Sequence, residues 1–177
     1  MKRLFALLAL GACLSPAAAR ALEMKSHDMA EGAMLASQQV YPDCNGDNVS
    51  PELSWSGAPA GVKSFALTLY DPDSTGGWWH WIVFDIPPGA SGLRRGAGNN
   101  PSQLPIGTVE GRNDFEQSGY GGACPPPGSG LHHYQFTLWA LDVDSLPFDA
   151  STGGGAIAPF LKKHALAQTT LTAVYKR

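Results

Sequence analysis

The chain has 177 residues, of which 44% are hydrophobic and 15% are charged, and it contains 21 glycines and 14 prolines. This composition argues against a disordered chain and predicts one turn-rich, mainly β domain rather than a helix bundle. The formal net charge of −3 at pH 7 argues against nucleic acid as a partner.

The N-terminus has the three-part layout of a secretory signal peptide. Lys2 and Arg3 precede a short apolar run, and small residues ending at Ala21 offer a cleavage site. We therefore predict a cleaved signal peptide over residues 1–21, a single domain over residues 22–177 and a periplasmic or secreted protein. Cleavage leaves nine basic against fifteen acidic residues, a net charge of −6. The apolar run is shorter than the roughly 20 residues of a transmembrane helix, so no transmembrane segment is predicted.

The cysteines bear on export in two ways. Leu10-Gly11-Ala12-Cys13 resembles a bacterial lipobox, so the alternative to cleavage at Ala21 is a lipoprotein anchored at Cys13. After cleavage at Ala21, Cys44 and Cys124 remain, and an even pair in an exported chain predicts a disulfide. Two buried free thiols are the alternative.

Residues 64–70 and 79–86 alternate between apolar and polar side chains, which predicts two strands. In the first strand the apolar face ends at Asp71. Strict alternation places on one face of the second strand His80, Ile82, Phe84 and Ile86, and on the other Trp79 and Trp81. If the strands pair antiparallel, Asp71 and His80 come together at one rim.

Residues 133–142 predict a third strand, whose apolar face includes Tyr134, with His132 just ahead of it in the same parity. If this third strand runs parallel to the second, it brings His132 and Tyr134 to the same rim as Asp71 and His80. The rest of the C-terminal region predicts a helix over residues 156–168 and a further strand over residues 169–175.

A loop from Ser118 to Gly130 combines flexible glycines with rigid prolines. Such a composition lets backbone N–H groups approach an anion closely, although composition alone favours a plain surface turn. With the three strand ends, this loop predicts a small binding pocket at the end of an antiparallel β-sandwich with a few short peripheral helices.

Four motifs together resemble the phosphatidylethanolamine-binding protein family, in its bacterial Raf-kinase-inhibitor-like branch. They are D-P-D at residues 71–73, W-H-W around His80, the loop G-Y-G-G-A-C-P-P-P-G and the run L-H-H-Y-Q-F-T-L-W-A-L-D. The resemblance extends from Asn45 to the C-terminus and implies a β-sandwich with an anion-binding pocket at one end. It implies as ligand-binding residues Asp71, Asp73, His80, Gly122, Pro125, His132 and Tyr134.

The chain departs from the family pattern in three places. Ser74-Thr75 replaces a common Ala-Pro, Ala123 stands where many bacterial members have Pro, and His133 replaces an arginine. The last change removes a fixed positive charge beside the pocket.

We interpret the chain as a binding protein for a small anion, such as phosphate or a phospholipid headgroup, with no cofactor. In this interpretation the histidines and the Tyr134 hydroxyl contact the anion, and Asp71 orients His80. It would act alone or as the inhibitor or regulator of a protease-like or kinase-like partner, which the exposed Trp78 and Trp79 would anchor.

Two alternatives remain open. A hydrolase would use the Asp71/His80 pair with Ser74 or Ser129 as nucleophile, although neither serine lies in a G-x-S-x-G elbow. A metal site would combine Asp71, Asp73, His80 and His132 as oxygen and nitrogen ligands, although no tight ligand spacing supports it.

Overall fold

The computed structural model describes residues 21–177, so the predicted signal peptide, except for Ala21, and the lipobox lie outside the described residues. The fold is mainly β, as predicted. Its strands and one α-helix are β1 (Glu23–Lys25), β2 (Leu53–Ser56), β3 (Ser64–Asp71), β4 (Trp78–Ile86), β5 (Gly92–Leu93), β6 (Val109–Glu110), β7 (His132–Leu141), α1 (Gly154–His164) and β8 (Ala165–Tyr175). Short 3-10 helices cover Ser37–Gln39, Pro42–Cys44, Ala97–Asn99 and Pro101–Gln103.

The strands form two antiparallel sheets that pack face to face. The smaller sheet has the order β1-β2-β5 and the larger has the order β6-β4-β3-β7-β8. Their inner faces share one apolar core, in which Trp55 of β2 lies 5.6 Å from Phe65 of β3 between ring centroids. The period-two alternation of β3 and β7 supplies this core, because every second side chain of a strand faces the same side. The predicted antiparallel β-sandwich is therefore confirmed.

The outer face of the larger sheet is covered by α1. Ile157 and Leu161 of the helix are fully buried against Ile82 and Phe84 of β4. The helix ends at His164, so the prediction of a helix through Gln168 is wrong for its last turn. Residues 165–168 instead begin β8 and pair with β7, because the ladder of backbone hydrogen bonds outweighs the high helix propensity of alanine and leucine there. No described helix has the length and apolarity to cross a membrane.

Strand β3 lies at the centre of the larger sheet, with β4 on one side and β7 on the other, both antiparallel to it. The C-terminal end of β3 therefore lies beside the N-terminal ends of both neighbours. This arrangement brings Asp71, His80 and His132 to one end of the sandwich, as the sequence predicts.

Cys44 and Cys124 form a disulfide with a Cα–Cα distance of 5.6 Å, as predicted. The bridge ties the 3-10 helix Pro42–Cys44 to the glycine-proline loop across a sequence separation of 80 residues. It thereby fixes one side of the glycine-proline loop, residues 118–130.

The lead-in segment, residues 31–35, lies along the outer edge of β8. Gly32 N–H donates to the Thr172 carbonyl, Leu35 N–H donates to the Val174 carbonyl, and Val174 N–H donates to the Ala33 carbonyl. The Glu31 carboxylate accepts from Thr172 N–H. Backbone groups at the C-terminal part of this edge strand are thus hydrogen-bonded within the chain.

Candidate functional site

A cavity of about 590 Å³ opens at the end of the sandwich where β3, β4 and β7 meet. Six of the seven predicted ligand-binding residues line it, namely Asp71, Asp73, His80, Pro125, His132 and Tyr134. Its remaining wall residues are Ser74, Thr75, Trp78, Phe115, Cys124, Pro126 and Ser129. Gly122, the seventh, is not among the lining residues.

Asp71 is paired with His132, and not with His80 as the sequence predicts. The Nδ1–H of His132 donates to Asp71 Oδ2 over 2.7 Å. Both side chains are almost fully buried, with 4% and 1% of their surfaces exposed. The carboxylate also accepts from the backbone N–H groups of Asp73 and Ser74 and from the Ser74 hydroxyl. Each oxygen is therefore hydrogen-bonded, which offsets the cost of burying the charge.

His80 is held by the backbone of the glycine-proline loop. Its Nδ1–H donates to the Gly121 carbonyl over 2.8 Å. Burial lowers the pKa of His80 to about 4, although the hydrogen bond to Gly121 and the charge of Asp71 act in the opposite direction. His80 is therefore neutral at pH 7, and its Nε2 carries a lone pair rather than a proton.

A β-bulge in β4 determines which way His80 points. Leu69 of β3 pairs with Trp81, but the next residue, Tyr70, pairs with Trp79, so His80 is the extra residue. The strict alternation predicted for this strand is therefore wrong. Trp81 lies in the core between the sheets, while Trp79 packs on the α1 side. The bulge turns His80 to the inner face, where its ring centroid lies 5.1 Å from that of Tyr134.

Two glycines of the glycine-proline loop, Gly121 and Gly122, do not present their N–H groups to the cavity. Gly121 N–H donates to the His80 carbonyl, and Ala123 N–H donates to the Gln39 carbonyl. Gly122 N–H donates to the side chain of Asn48 over 2.7 Å. A Cβ at Gly122 would lie 2.5 Å from the Gln39 carbonyl oxygen, so glycine is required here for backbone packing. The loop shapes the wall with its prolines instead.

Phe115 forms an aromatic wall that the sequence analysis missed. Its ring stacks on Tyr41 at 4.4 Å and meets the edges of Trp78 and His80, each at 5.5 Å. Phe115 lies in an irregular segment without alternation or a recognisable motif. No signal in a single sequence identifies it, because its position depends on a backbone turn that Asn113 organises through its side-chain carbonyl.

Asp73 lies at the rim of the cavity and is paired with His133. Its Oδ2 accepts from the backbone N–H and from the Nδ1–H of His133 over 2.8 and 2.9 Å. The side-chain hydrogen bond from His133 holds the pKa of Asp73 below its usual value. Residues 21–177 contain no group of three or more His, Cys, Asp or Glu side chains arranged to hold a metal ion. The four-residue metal alternative is therefore not supported, since Asp71 and Asp73 bind separate histidines.

Tyr134 places a buried hydroxyl group at the cavity. Among the described residues this hydroxyl has no acceptor for its hydrogen. Burial, and then the nearby charge of Asp71, raise the pKa of Tyr134 above its usual value, although the backbone N–H of Cys124 lies near enough to its oxygen to lower this pKa slightly. The hydroxyl therefore remains protonated and able to donate. An unpartnered buried polar atom costs free energy, which makes this hydroxyl a candidate ligand contact.

The comparisons with known proteins agree with this fold. The family model "Phosphatidylethanolamine-binding protein" matches residues 25–176. YbcL of Escherichia coli is 42% identical over 99% of both chains, and its crystal structure covers 89% of this chain and 99% of its own with a TM-score of 0.86. The crystal structure of the homologue CT736 from Chlamydia trachomatis, 29% identical, covers 89% of this chain and 98% of its own with a TM-score of 0.74. LppC of Mycobacterium tuberculosis, named as a lipoprotein, is 38% identical over 90% of this chain and 74% of its own length.

These structural matches show that the β-sandwich is shared with known proteins. The chain belongs to the phosphatidylethanolamine-binding protein family, as the sequence motifs predict. The names of the family and of these relatives indicate no enzymatic activity.

Proposed function

We propose that this protein binds a small anion, such as phosphate or a phosphorylated headgroup, in the cavity at the end of the sandwich. The observation that carries the proposal is the buried Tyr134 hydroxyl, a donor without a partner among the described residues. Two imidazoles, those of His80 and His132, line the same cavity. A ligand oxygen would give the hydroxyl the hydrogen bond that the protein leaves unmade.

The hydrogen bonds of the cavity are compatible with this ligand. The Asp71 carboxylate accepts from His132 and that of Asp73 accepts from His133, so each carboxylate already has an imidazole donor. The neutral His80 presents an acceptor at Nε2, which suits the O–H of a protonated phosphate. Asp73, whose side chain is 38% exposed, would attract an ammonium group at the rim. Phosphoethanolamine combines a phosphate with an ammonium group, in line with the headgroup that the family name contains.

We propose further that the protein works outside the cytoplasm. The Cys44–Cys124 disulfide supports this, because disulfides persist in oxidising compartments. The relative LppC, named as a lipoprotein, supports export as well. The mature protein would begin at residue 22 or carry a lipid at Cys13, and intact-mass measurement of protein isolated from its own cells distinguishes the two.

The role of a regulator has less support. The partner anchor predicted from Trp78 and Trp79 requires exposed rings, but both side chains are half-buried. Trp78 lines the cavity, and Trp79 packs against Tyr70 at 4.4 Å. A pulldown that fails with Trp78→Ala, while anion binding remains, would favour an inhibitory partner.

Calorimetric titration with phosphate and with phosphoethanolamine tests the anion proposal. We expect Tyr134→Phe to weaken binding at least about tenfold, because a hydrogen bond to a charged group contributes roughly 1.5–3 kcal/mol. His80→Ala should weaken phosphate binding as well. The matched control is Gln135→Ala, because Gln135 lies on the opposite face of β7 from Tyr134. Unchanged titrations for both cavity variants would refute the proposal.

A further inference from the structure

Three side chains of the cavity form a continuous hydrogen-bonded row. Ser129 Oγ lies 2.9 Å from His132 Nε2, and His132 Nδ1 lies 2.7 Å from Asp71 Oδ2. We infer that Ser129 is a nucleophile, His132 its general base and Asp71 the carboxylate that orients the base, and that this row hydrolyses small esters. Ester hydrolysis goes beyond anion binding. The row of Ser129, His132 and Asp71 takes the place of the Asp71/His80 pair as the candidate hydrolytic centre.

Asp71 is held as an orienting carboxylate requires. The backbone N–H groups of Asp73 and Ser74 donate to Oδ1 over 2.9 and 3.3 Å. The Ser74 hydroxyl donates to Oδ2 over 2.8 Å, so Ser74 is a positioning residue and not a nucleophile. Four donors, including His132, hold the carboxylate and fix its plane. An ionised acceptor at Nδ1 stabilises the imidazolium that forms when Nε2 takes a proton.

The tautomer of His132 follows from its hydrogen bond to Asp71. The carboxylate has no proton to donate, so Nδ1 carries the hydrogen, and in the neutral ring the lone pair is on Nε2. The Ser129 hydroxyl then donates to Nε2, which is the geometry of a serine activated by a general base. The Pro126 carbonyl, 2.8 Å from Ser129 Oγ, is a second acceptor for the same hydrogen. Rotation about the Cβ–Oγ bond carries the hydrogen between them.

The position of Ser129 suits an attacking group. Gly128 and Gly130 on either side have φ values of +77° and +98°, so the serine lies on a tight turn that only glycines make without strain. Ser129 is exposed, whereas His132 behind it is buried. Trp78, Phe115 and Pro125 give the adjoining cavity an apolar wall that fits a short acyl chain.

The reaction balances with water as the only co-reactant. Ser129 Oγ attacks the acyl carbonyl carbon and its proton passes to His132 Nε2; the tetrahedral intermediate expels the alcohol oxygen, which takes this proton. Water then attacks the acyl-serine and gives a proton to Nε2, and collapse releases the carboxylic acid and returns the proton to Ser129. The tetrahedral intermediate is an anion of the same shape as phosphate, so the Tyr134 hydroxyl, the donor proposed for phosphate, also suits it.

An alkyl fluorophosphonate and p-nitrophenyl butyrate test this inference on the full chain. We expect one fluorophosphonate adduct by intact mass, mapped to Ser129, and ester hydrolysis that falls at least about 100-fold in Ser129→Ala and in Asp71→Asn. Ser118→Ala, which removes an exposed serine outside the cavity, should retain both signals.

The two proposals fail separately, because Ser129→Ala leaves Tyr134 and His80 in place and should still bind phosphate. The hydrolytic inference is overturned if no adduct forms on Ser129, or if hydrolysis persists in Ser129→Ala. Since Ser129 is exposed, its variant is expected to fold, so a loss of folding in Asp71→Asn would not obscure the result.

Discussion

His132 donates through Nδ1 to Asp71 Oδ2 over 2.7 Å, and the two buried side chains join the start of β7 to the end of β3. A second carboxylate-histidine pair joins Asp73, two residues after Asp71, to His133, the residue after His132, and this pair is partly exposed. The chain thus contains a buried and an exposed version of one interaction, separated by the rim of the cavity.

The two pairs should contribute very differently to stability. Asp71→Ala leaves a buried imidazole and the donors of Ser74 without their acceptor, so we expect the free energy of unfolding to fall by about 3 kcal/mol. Asp73→Ala, the matched control, should cost less than about 1 kcal/mol, because its partner is exposed to water. Urea denaturation at pH 7 measures both. Equal losses would mean that the Asp71 pair does not anchor the site.

The low pKa of His80 makes stability depend on pH. The folded pKa is about 4 and the ordinary value is 6.5, so between these values the unfolded chain binds more protons than the folded one. The contribution of neutral His80 to the free energy of unfolding is therefore complete above pH 6.5 and decreases as the pH falls. At pH 4 the free energy of unfolding should be lower by roughly 3 kcal/mol. His80→Asn, which keeps a donor for the Gly121 carbonyl, should flatten this dependence. An unchanged slope in that variant would assign the effect to other groups.

The neutral state of His80 predicts different pH profiles for two anions of the same shape. Sulfate has no proton to donate, so its binding near Nε2 requires protonation of His80. Its affinity should therefore fall by nearly tenfold for each unit that the pH rises between pH 5 and 6.5. Phosphate retains an O–H that can donate to the lone pair, so its affinity should change much less. Calorimetry across this range measures the two slopes. With His80→Gln the two profiles should converge, and parallel profiles in the unmodified protein would contradict the assignment.

The disulfide should stabilise both the fold and the cavity wall. It closes a long loop, and removal of such a bridge typically costs 2–5 kcal/mol. We expect the Cys44→Ser/Cys124→Ser double variant to lose about that much and to bind phosphate more weakly, because Cys124 lines the cavity. Dithiothreitol should reproduce the loss in the unmodified protein and have no effect on the double variant. If reduction lowers stability but not affinity, the bridge acts on the fold alone.

Gly122 should prove to be a packing residue rather than a ligand contact. A Cβ there would lie 2.5 Å from the Gln39 carbonyl oxygen and 2.7 Å from the Tyr41 nitrogen, both backbone atoms that cannot easily move. We expect Gly122→Ala to lower the free energy of unfolding by about 3 kcal/mol or more. Gly89→Ala, where a Cβ meets nothing within 4 Å, is the control and should be neutral within about 0.5 kcal/mol. Thermal unfolding resolves the difference.

Single-sequence reasoning predicted those features that depend on alternation and on strand order. Asp71, His132 and Tyr134 lie where the period of two and the antiparallel pairing place them. His80 reaches the cavity for a different reason, because an inserted residue in β4 reverses the alternation at that point. A bulge depends on the pairing of two strands, and no local pattern reports it.

The partners of these side chains were harder to predict than their positions. Both His80 and His132 lie near Asp71. His80 Nδ1 is hydrogen-bonded to the Gly121 carbonyl, and Asp71 is hydrogen-bonded to His132 instead. Phe115 enters the wall because the Asn113 side chain organises its turn. The end of α1 at His164 reflects pairing with β7, a tertiary contact that outweighs local propensity. In each case the deciding interaction joins segments far apart in the chain.

The lead-in segment that covers β8 has a consequence for self-association. Edge strands with free backbone groups are templates for pairing between molecules. Residues 31–35 occupy the backbone groups of Thr172 and Val174, and thereby shield the C-terminal half of the outermost strand from a second copy. A chain shortened to begin after residue 35 would expose this edge and should aggregate through it. Residues 31–35 therefore protect the protein against pairing of this edge between molecules.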